Sequence, residues 1–348
     1  MTRRMLLFFL TLHICTGSAI AIFHGPFYGD AQNFYGYAES IGSVREFLDW
    51  RDVTSIQNYN VFFVTLIYGN AFQAAMINIF ALLLFVRWSH PMGSALARKR
   101  EASGIDMRQY YTIMFFIIVC PSIVARLGEP SREYLQSLLL FLVGVYFNCG
   151  ASRVRWLLPL SVLFLIRPIA APIYILWLSF FWVLEKGLLM RVSYFSIFVA
   201  LLLISGEFQV VQLYSEKSID YVGALGASPD YYQKIVLNVL GDVNSFASDR
   251  YPVFDRFVFF LDYLWRILFL ILLLSRGGRV AFVFITFAAL IISALYPFPH
   301  PRYFVPALFF LSGVICSSQL RSLYSNVTPR FVVSARKSVN ISNNAATG

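Results

Sequence analysis

The side chains suited to proton transfer and anion binding gather in a few polar segments between long apolar runs. Asp30 stands in Phe27-Tyr28-Gly29-Asp30. Arg126, Glu129, Arg132 and Glu133 share one short stretch. Arg167 precedes Pro168, and His300, Arg302 and Tyr303 fall within Tyr296-Pro-Phe-Pro-His300-Pro-Arg302-Tyr303-Phe304-Val305-Pro306. A carboxylate near a substrate hydroxyl takes its proton as the oxygen attacks, so Asp30, Glu129 and Glu133 are the candidate bases. Arginine is permanently charged and presents a planar fork, which suits a phosphate or diphosphate gripped by two parallel hydrogen bonds. Arg126, Arg132, Arg167 and Arg302 are the candidate anion ligands, with His300 and Tyr303 beside them.

The elements that position these residues are membrane helices. The chain has 348 residues, 58% of them hydrophobic and only 13% charged, a composition that excludes an ordinary soluble domain. Apolar runs fall at roughly 5–23, 61–86, 110–127, 134–149, 156–166, 169–184, 192–208, 257–275, 280–296 and 304–320. The reading is all-α: a polytopic transmembrane helix bundle of about ten spans over 1–325, followed by a cytoplasmic tail over 326–348, polar and disordered. With a cytoplasmic N-terminus, 17 of the 28 basic residues lie on inner segments and 10 on outer ones, and Arg266 alone sits inside a span. The positive-inside rule then places both termini in the cytoplasm and every candidate site residue at or beyond the outer helix ends. The formal net charge of +10 reflects inner loops facing an anionic leaflet and calls for no nucleic acid. Met1–Phe23 has the Arg3-Arg4 start and small residues of a signal peptide, but the parity of the basic residues favours an uncleaved first span.

The outer segments differ in what they can do. Phe34, Tyr37 and Ala38 follow Asp30 on one helical face, so a surface helix with Asp30 as base or as N-cap is expected. Pro130 and Ser131 start a helix whose first turn holds Glu133. The run at 156–166 is too short to span, which predicts a hairpin tip that holds Arg167 below the outer surface. The segment at 209–256 mixes Tyr with Asp and Glu, a composition equally suited to sugars and to the membrane interface. The four cysteines lie in apolar runs without CxxC spacing, so no metal site is indicated; a divalent cation is compatible with the site but nothing calls for one.

Four features carry a resemblance: Gly29-Asp30 after the first span, the Pro130-Ser131-Arg132-Glu133 turn, the Arg167-Pro168 tip and the Pro301-Arg302-Tyr303-x-x-Pro306 segment. The chain resembles polytopic glycosyltransferases that use polyprenyl-linked sugars: the Wzy/EpsG-type polymerases of O-antigen, capsule and exopolysaccharide, and the GT-C transferases. The resemblance implies a glycosyltransferase of the bacterial inner membrane with its active site facing the periplasm. As a polymerase it would act on undecaprenyl-diphosphate-linked glycans in surface polysaccharide biosynthesis. As a GT-C enzyme it would move one sugar from a polyprenyl-phosphate donor. Asp30 would be the base, with Glu129 and Glu133 as alternatives, and the arginines would hold the departing diphosphate. The partners implied are a polyprenyl-linked oligosaccharide, the lipid bilayer, and chain-length regulator and flippase proteins. A lipid-linked sugar flippase is the reading of another class.

Overall fold

The computed structural model describes residues 3–23, 71–89, 107–129, 132–148, 153–166, 171–184, 186–205, 231–240, 252–295 and 301–316. Asp30, Arg167 and His300 lie outside the described residues, as does the tail. The described elements are all helical: α1 (Arg3–Phe23), α2 (Ala71–Ser89), α3 (Met107–Ile118), α4 (Pro121–Val124), α5 (Arg132–Asn148), α6 (Arg153–Ile166), α7 (Ala171–Leu184), α8 (Leu188–Ser205), α9 (Tyr231–Leu240), α10 (Val253–Leu295) and α11 (Pro301–Cys316). Three stretches, Arg3–Phe23, Phe72–Ser89 and Val253–Ser293, are long and apolar enough to cross a membrane, and several shorter apolar helices pack beside them.

Apolar composition on every face is what makes these segments membrane helices. On α1, Leu6, Leu10, His13 and Gly17 face the protein at steps of three and four residues. Met5, Phe8, Leu12 and Ile22 point outward and are just as apolar. A surface of that kind is stable against lipid and unstable against water. In lipid the backbone must satisfy its own hydrogen bonds, which a helix does within one segment.

Two apolar runs depart from the simple reading. Run 110–127 is not one helix: α3 ends at Ile118 and the one-turn α4 follows a break at Val119 and Cys120. Pro121 is the cause, since it has no N–H to continue the ladder. Runs 257–275 and 280–296 belong to one continuous helical stretch, α10, broken at Gly278 with φ 53°. Phe309 of α11 touches Trp265 and Phe269 before the break, while its neighbour Phe310 touches Phe284 after it. Both halves therefore pass the same level of α11, and the chain reverses at Gly278. The 209–256 segment contains a helix, α9, whose Ile235, Val239 and Leu240 join the core.

One end of the bundle, its base, is marked by side-chain contacts. Ser89 and Tyr110 share a hydrogen bond of 3.0 Å, the Tyr146 hydroxyl donates to Trp88 O at 3.2 Å, and Gln109 Nε2 donates to Ile315 O at 3.0 Å. These pairs put the ends of α2, α5 and α11 level with the start of α3. Helices α5 and α11 consequently run side by side in the same direction, and both begin at the opposite end, the top.

Candidate functional site

The top of the bundle holds a short charged turn, and the break in α3 is what lets the chain form it. The regular ladder ends with Val119 N on Phe115 O at 2.9 Å, and next to Pro121, which cannot donate, Cys120 N reaches Ile117 O at 3.4 Å. The carbonyls of Phe116 and Ile118 pass to donors from elsewhere. Trp265 Nε1 donates to Phe116 O at 2.8 Å, and His13 Nδ1 donates to Ile118 O at 2.6 Å. A carbonyl can only accept, so the proton is on Nδ1, and Nε2 of the neutral ring accepts from the Tyr134 hydroxyl at 3.2 Å. A backbone break at this depth survives because side chains answer the freed groups.

Beyond α4 the chain tightens into successive turns. Arg126 N bonds Ile123 O, Leu127 N bonds Val124 O and Glu129 N bonds Arg126 O, at 3.1 to 3.2 Å. The turn is packed closely on α1. A Cβ at Gly17 would meet the Leu127 side chain at 2.7 Å, and a Cβ at Gly128 would overlap the Ala21 side chain. On the other side Ala125 packs with Val258 of α10. Across the turn, Asn78 of α2 reaches its backbone: Nδ2 donates to Leu127 O at 2.9 Å and to Glu129 O at 3.0 Å, with Arg126 O at 3.5 Å.

These contacts set the height of the turn. Glu133 lies 13 residues above Tyr146, about 20 Å at the rise of an α-helix. Above its level α2 continues seven residues from Asn78 to Ala71, and α1 six residues from Gly17 to Phe23, each about 10 Å. The sequence reading put this turn at or beyond the helix ends. In the structure two neighbouring helices project past it, because the α3 break shortens the climb of the chain.

The charged groups on the turn are buried. Arg126 is 4% exposed and Glu129 3%, and Arg126 Nη1 lies 3.4 Å from Glu133 Oε2. Glu133 stands in the first turn of α5, where the helix dipole favours an anion. Arg132 opens α5, and Arg302 and Tyr303 stand in the first turn of the parallel α11, at the same end of the bundle. The structure thus brings Arg126 and Glu129 onto one turn with Glu133 in contact with Arg126, and it starts the helices that carry Arg132, Arg302 and Tyr303 at the same end of the bundle.

Polar groups that the sequence reading did not single out complete this region. Asp255, buried in the first turn of α10, is one turn before Val258. Asp262, one turn after Val258, accepts from Arg266 Nε at 2.7 Å through Oδ2, and its Oδ1 is buried without a hydrogen-bond partner. The signal was present as polar residues inside apolar runs: Asn78, His13, and Asp262-x-x-x-Arg266 with the spacing of neighbours on one helix face. Among the described residues no three His, Cys, Asp or Glu side chains group as a metal site requires. No protein-family model, curated protein or solved structure matches the chain.

Proposed function

We propose that the chain is an integral-membrane glycosyltransferase of the bacterial inner membrane. It acts at the periplasmic face on undecaprenyl-diphosphate-linked glycans, as a Wzy-type polymerase in surface polysaccharide synthesis. The proposal includes about ten spans with both termini in the cytoplasm, so that the top of the bundle is the periplasmic end. The observation that carries it is the recessed turn, where a buried guanidinium and two carboxylates sit about 10 Å below the ends of α1 and α2. Ionisable groups at such depth are costly, and where they occur they mark functional sites. A lipid diphosphate has its reacting bond at that level while its tail stays in the bilayer.

In the reaction, the acceptor hydroxyl attacks the anomeric carbon of the donor sugar and a carboxylate takes its proton. Asp30 fills this role, with Glu129 and Glu133 as alternatives. The anomeric C–O bond breaks, and the diphosphate leaves with the electron pair. Arg126, Arg132, Arg167 and Arg302 stabilise the charge that develops there, with His300 and Tyr303 orienting donor or acceptor. Preorganised cations facing the leaving group supply the larger share of catalysis. A GT-C transferase taking one sugar from a polyprenyl phosphate would use the same groups.

A second reading, a flippase for lipid-linked sugars, draws on the buried Asp262–Arg266 pair and on the His13–Tyr134 contact, which carry polarity deeper than the turn. Surface polysaccharide from cells carrying Asp30→Asn and Arg126→Ala, run on gels beside membrane blots, separates the two. The transferase reading expects single-unit lipid-linked material at the outer face and no polymer. Accumulation of that material on the cytoplasmic side alone would favour the flippase, and full-length polymer from both variants would refute the site.

A further inference from the structure

We infer that Asn78 is a positioning residue: its amide fixes the backbone of the 126–129 turn and so sets where the Arg126 guanidinium points. This rests on the proposed role of Arg126 as a ligand of the donor's diphosphate. Asn78 is fully buried, lies in the middle of an otherwise apolar stretch of α2, and comes from about 50 residues earlier in the chain. Its one NH2 group has two protons, and two carbonyls stand within 3.0 Å of the nitrogen, Leu127 O and Glu129 O. These acceptors bracket Gly128, so a single side chain holds both ends of the turn.

Chemistry dictates why an amide occupies this place. The N–H groups of Arg126, Leu127 and Glu129 are spent on i−3 carbonyls, and the buried carbonyls of Leu127 and Glu129 receive their donor from Asn78. An unanswered buried carbonyl is expensive, so without Asn78 the segment would relax toward other pairings. Relaxation would move Arg126, whose α-carbon is one residue from the first of these acceptors. Misplacement by about 1 Å at a site that works by orientation costs on the order of a hundredfold in rate. Close packing of Gly17 on Leu127 and of Gly128 on Ala21 restrains the turn from the α1 side, and Asn78 supplies the directional restraint from α2.

The test uses the full-length chain, replaced at its own locus and also purified into nanodiscs. Asn78→Leu removes the donors, and Leu is welcome in a membrane helix, so accumulation is expected; Asn78→Met carries the same comparison should the Leu variant be degraded. Asn78→Gln keeps both N–H groups. Polymer per unit of membrane protein should fall at least tenfold in Asn78→Leu and be largely restored in Asn78→Gln. Adding Asn78→Leu to Arg126→Ala should cost nothing further, since both act through one group. In nanodiscs, inorganic pyrophosphate should raise the melting temperature of the wild type and of the control Thr286→Ala, whose exposed hydroxyl bonds only within α10, to Phe282 O. It should leave that of Asn78→Leu and of Arg126→Ala unmoved, a readout that a merely structural Asn78 would not change. Normal polymer or an intact pyrophosphate shift in Asn78→Leu, with Arg126→Ala inactive, overturns the inference and leaves the site standing. An active Arg126→Ala that still responds to pyrophosphate removes the reading of the site and this inference with it.

Discussion

Gly144 of α5 and Gly313 of α11 face each other as a reciprocal pair. A Cβ on Gly144 would overlap Phe310 O, and a Cβ on Gly313 would overlap Phe141 O. Each glycine is the gap into which the other helix's backbone fits. Lipid tails are as apolar as leucine, so membrane helices associate through close packing, and small residues at the crossing provide it. The consequence reaches the top of the bundle, because α5 carries Arg132 and Glu133 and α11 carries Arg302 and Tyr303 in their first turns.

Gly313→Val should therefore destabilise the protein by about 1–3 kcal/mol, the usual cost of overpacking, and Gly144→Val should do the same. The obstruction is backbone and cannot swing aside. Thermal unfolding in detergent, followed by tryptophan fluorescence, measures the effect. Gly187→Val is the control, because a Cβ there meets nothing within 4 Å. A Gly313→Val protein as stable as the wild type would mean that α5 and α11 are not this close.

The Asp262–Arg266 pair gives a prediction in which two changes cost less than one. Asp262→Leu leaves a buried guanidinium without its carboxylate and should cost about 3–5 kcal/mol, whereas Asp262→Leu with Arg266→Met removes both charges and should be near neutral. Denaturant titration of the three proteins in one detergent tests the ordering. A double variant that keeps its fold but loses polymer would give the pair a functional role as well. Equal stability of the single and double variants would show that the 2.7 Å contact contributes little.

Apolar runs foretold most helices here, because in lipid a long apolar segment has helix as its only open choice. Breaks were less legible. Pro121 signals a boundary, yet Pro159 and Pro306 sit inside α6 and α11, so proline alone does not say where a helix ends. What decides at Pro121 is the supply of outside donors, His13 and Trp265, and their chain positions are over a hundred residues from the carbonyls they answer. The charged turn was legible as a cluster, since Arg126, Glu129 and Glu133 are adjacent in sequence. Its recess was not, because depth follows from contacts of Asn78 and Gly17 with a turn about 50 and 110 residues further along the chain, and Asn78, though visible as a polar residue in an apolar run, does not name its partner. Depth was expected instead at Arg167, which lies outside the described residues.

Orientation is tested by reporter fusions. The basic residues favour the inner segments by 17 to 10, so fusions after residue 100 and after residue 340 should report cytoplasm, and fusions within 215–250 periplasm. A cytoplasmic signal from 215–250 would turn the bundle over and place the recessed turn on the wrong side for polymer synthesis.

Arginine substitutions give the sharpest test of the chemistry, because lysine keeps the charge and loses the bidentate fork. Arg302 stands in the first turn of a helix parallel to the one that begins with Arg132, and both helices start at the end of the bundle that holds Arg126. Three arginines thus stand at one end of the bundle, and in sequence Arg167 precedes α7, whose Trp177 stacks on Phe310 of α11. If they share a diphosphate, Arg167→Lys and Arg302→Lys should each lose most polymer, and the alanine variants essentially all of it. Arg126→Lys should behave like them and also loosen the 3.4 Å contact with Glu133, which would appear as a lower melting temperature. Arg45→Ala and Arg51→Ala, at basic residues between the first two apolar runs of the sequence, should be near neutral. Gel profiles of surface polysaccharide, normalised to membrane blots, supply the comparison. Full-length polymer from Arg167→Ala at normal expression would return that residue to the headgroup region, and the same result from Arg302→Ala would leave Arg126 without the partners that a diphosphate needs.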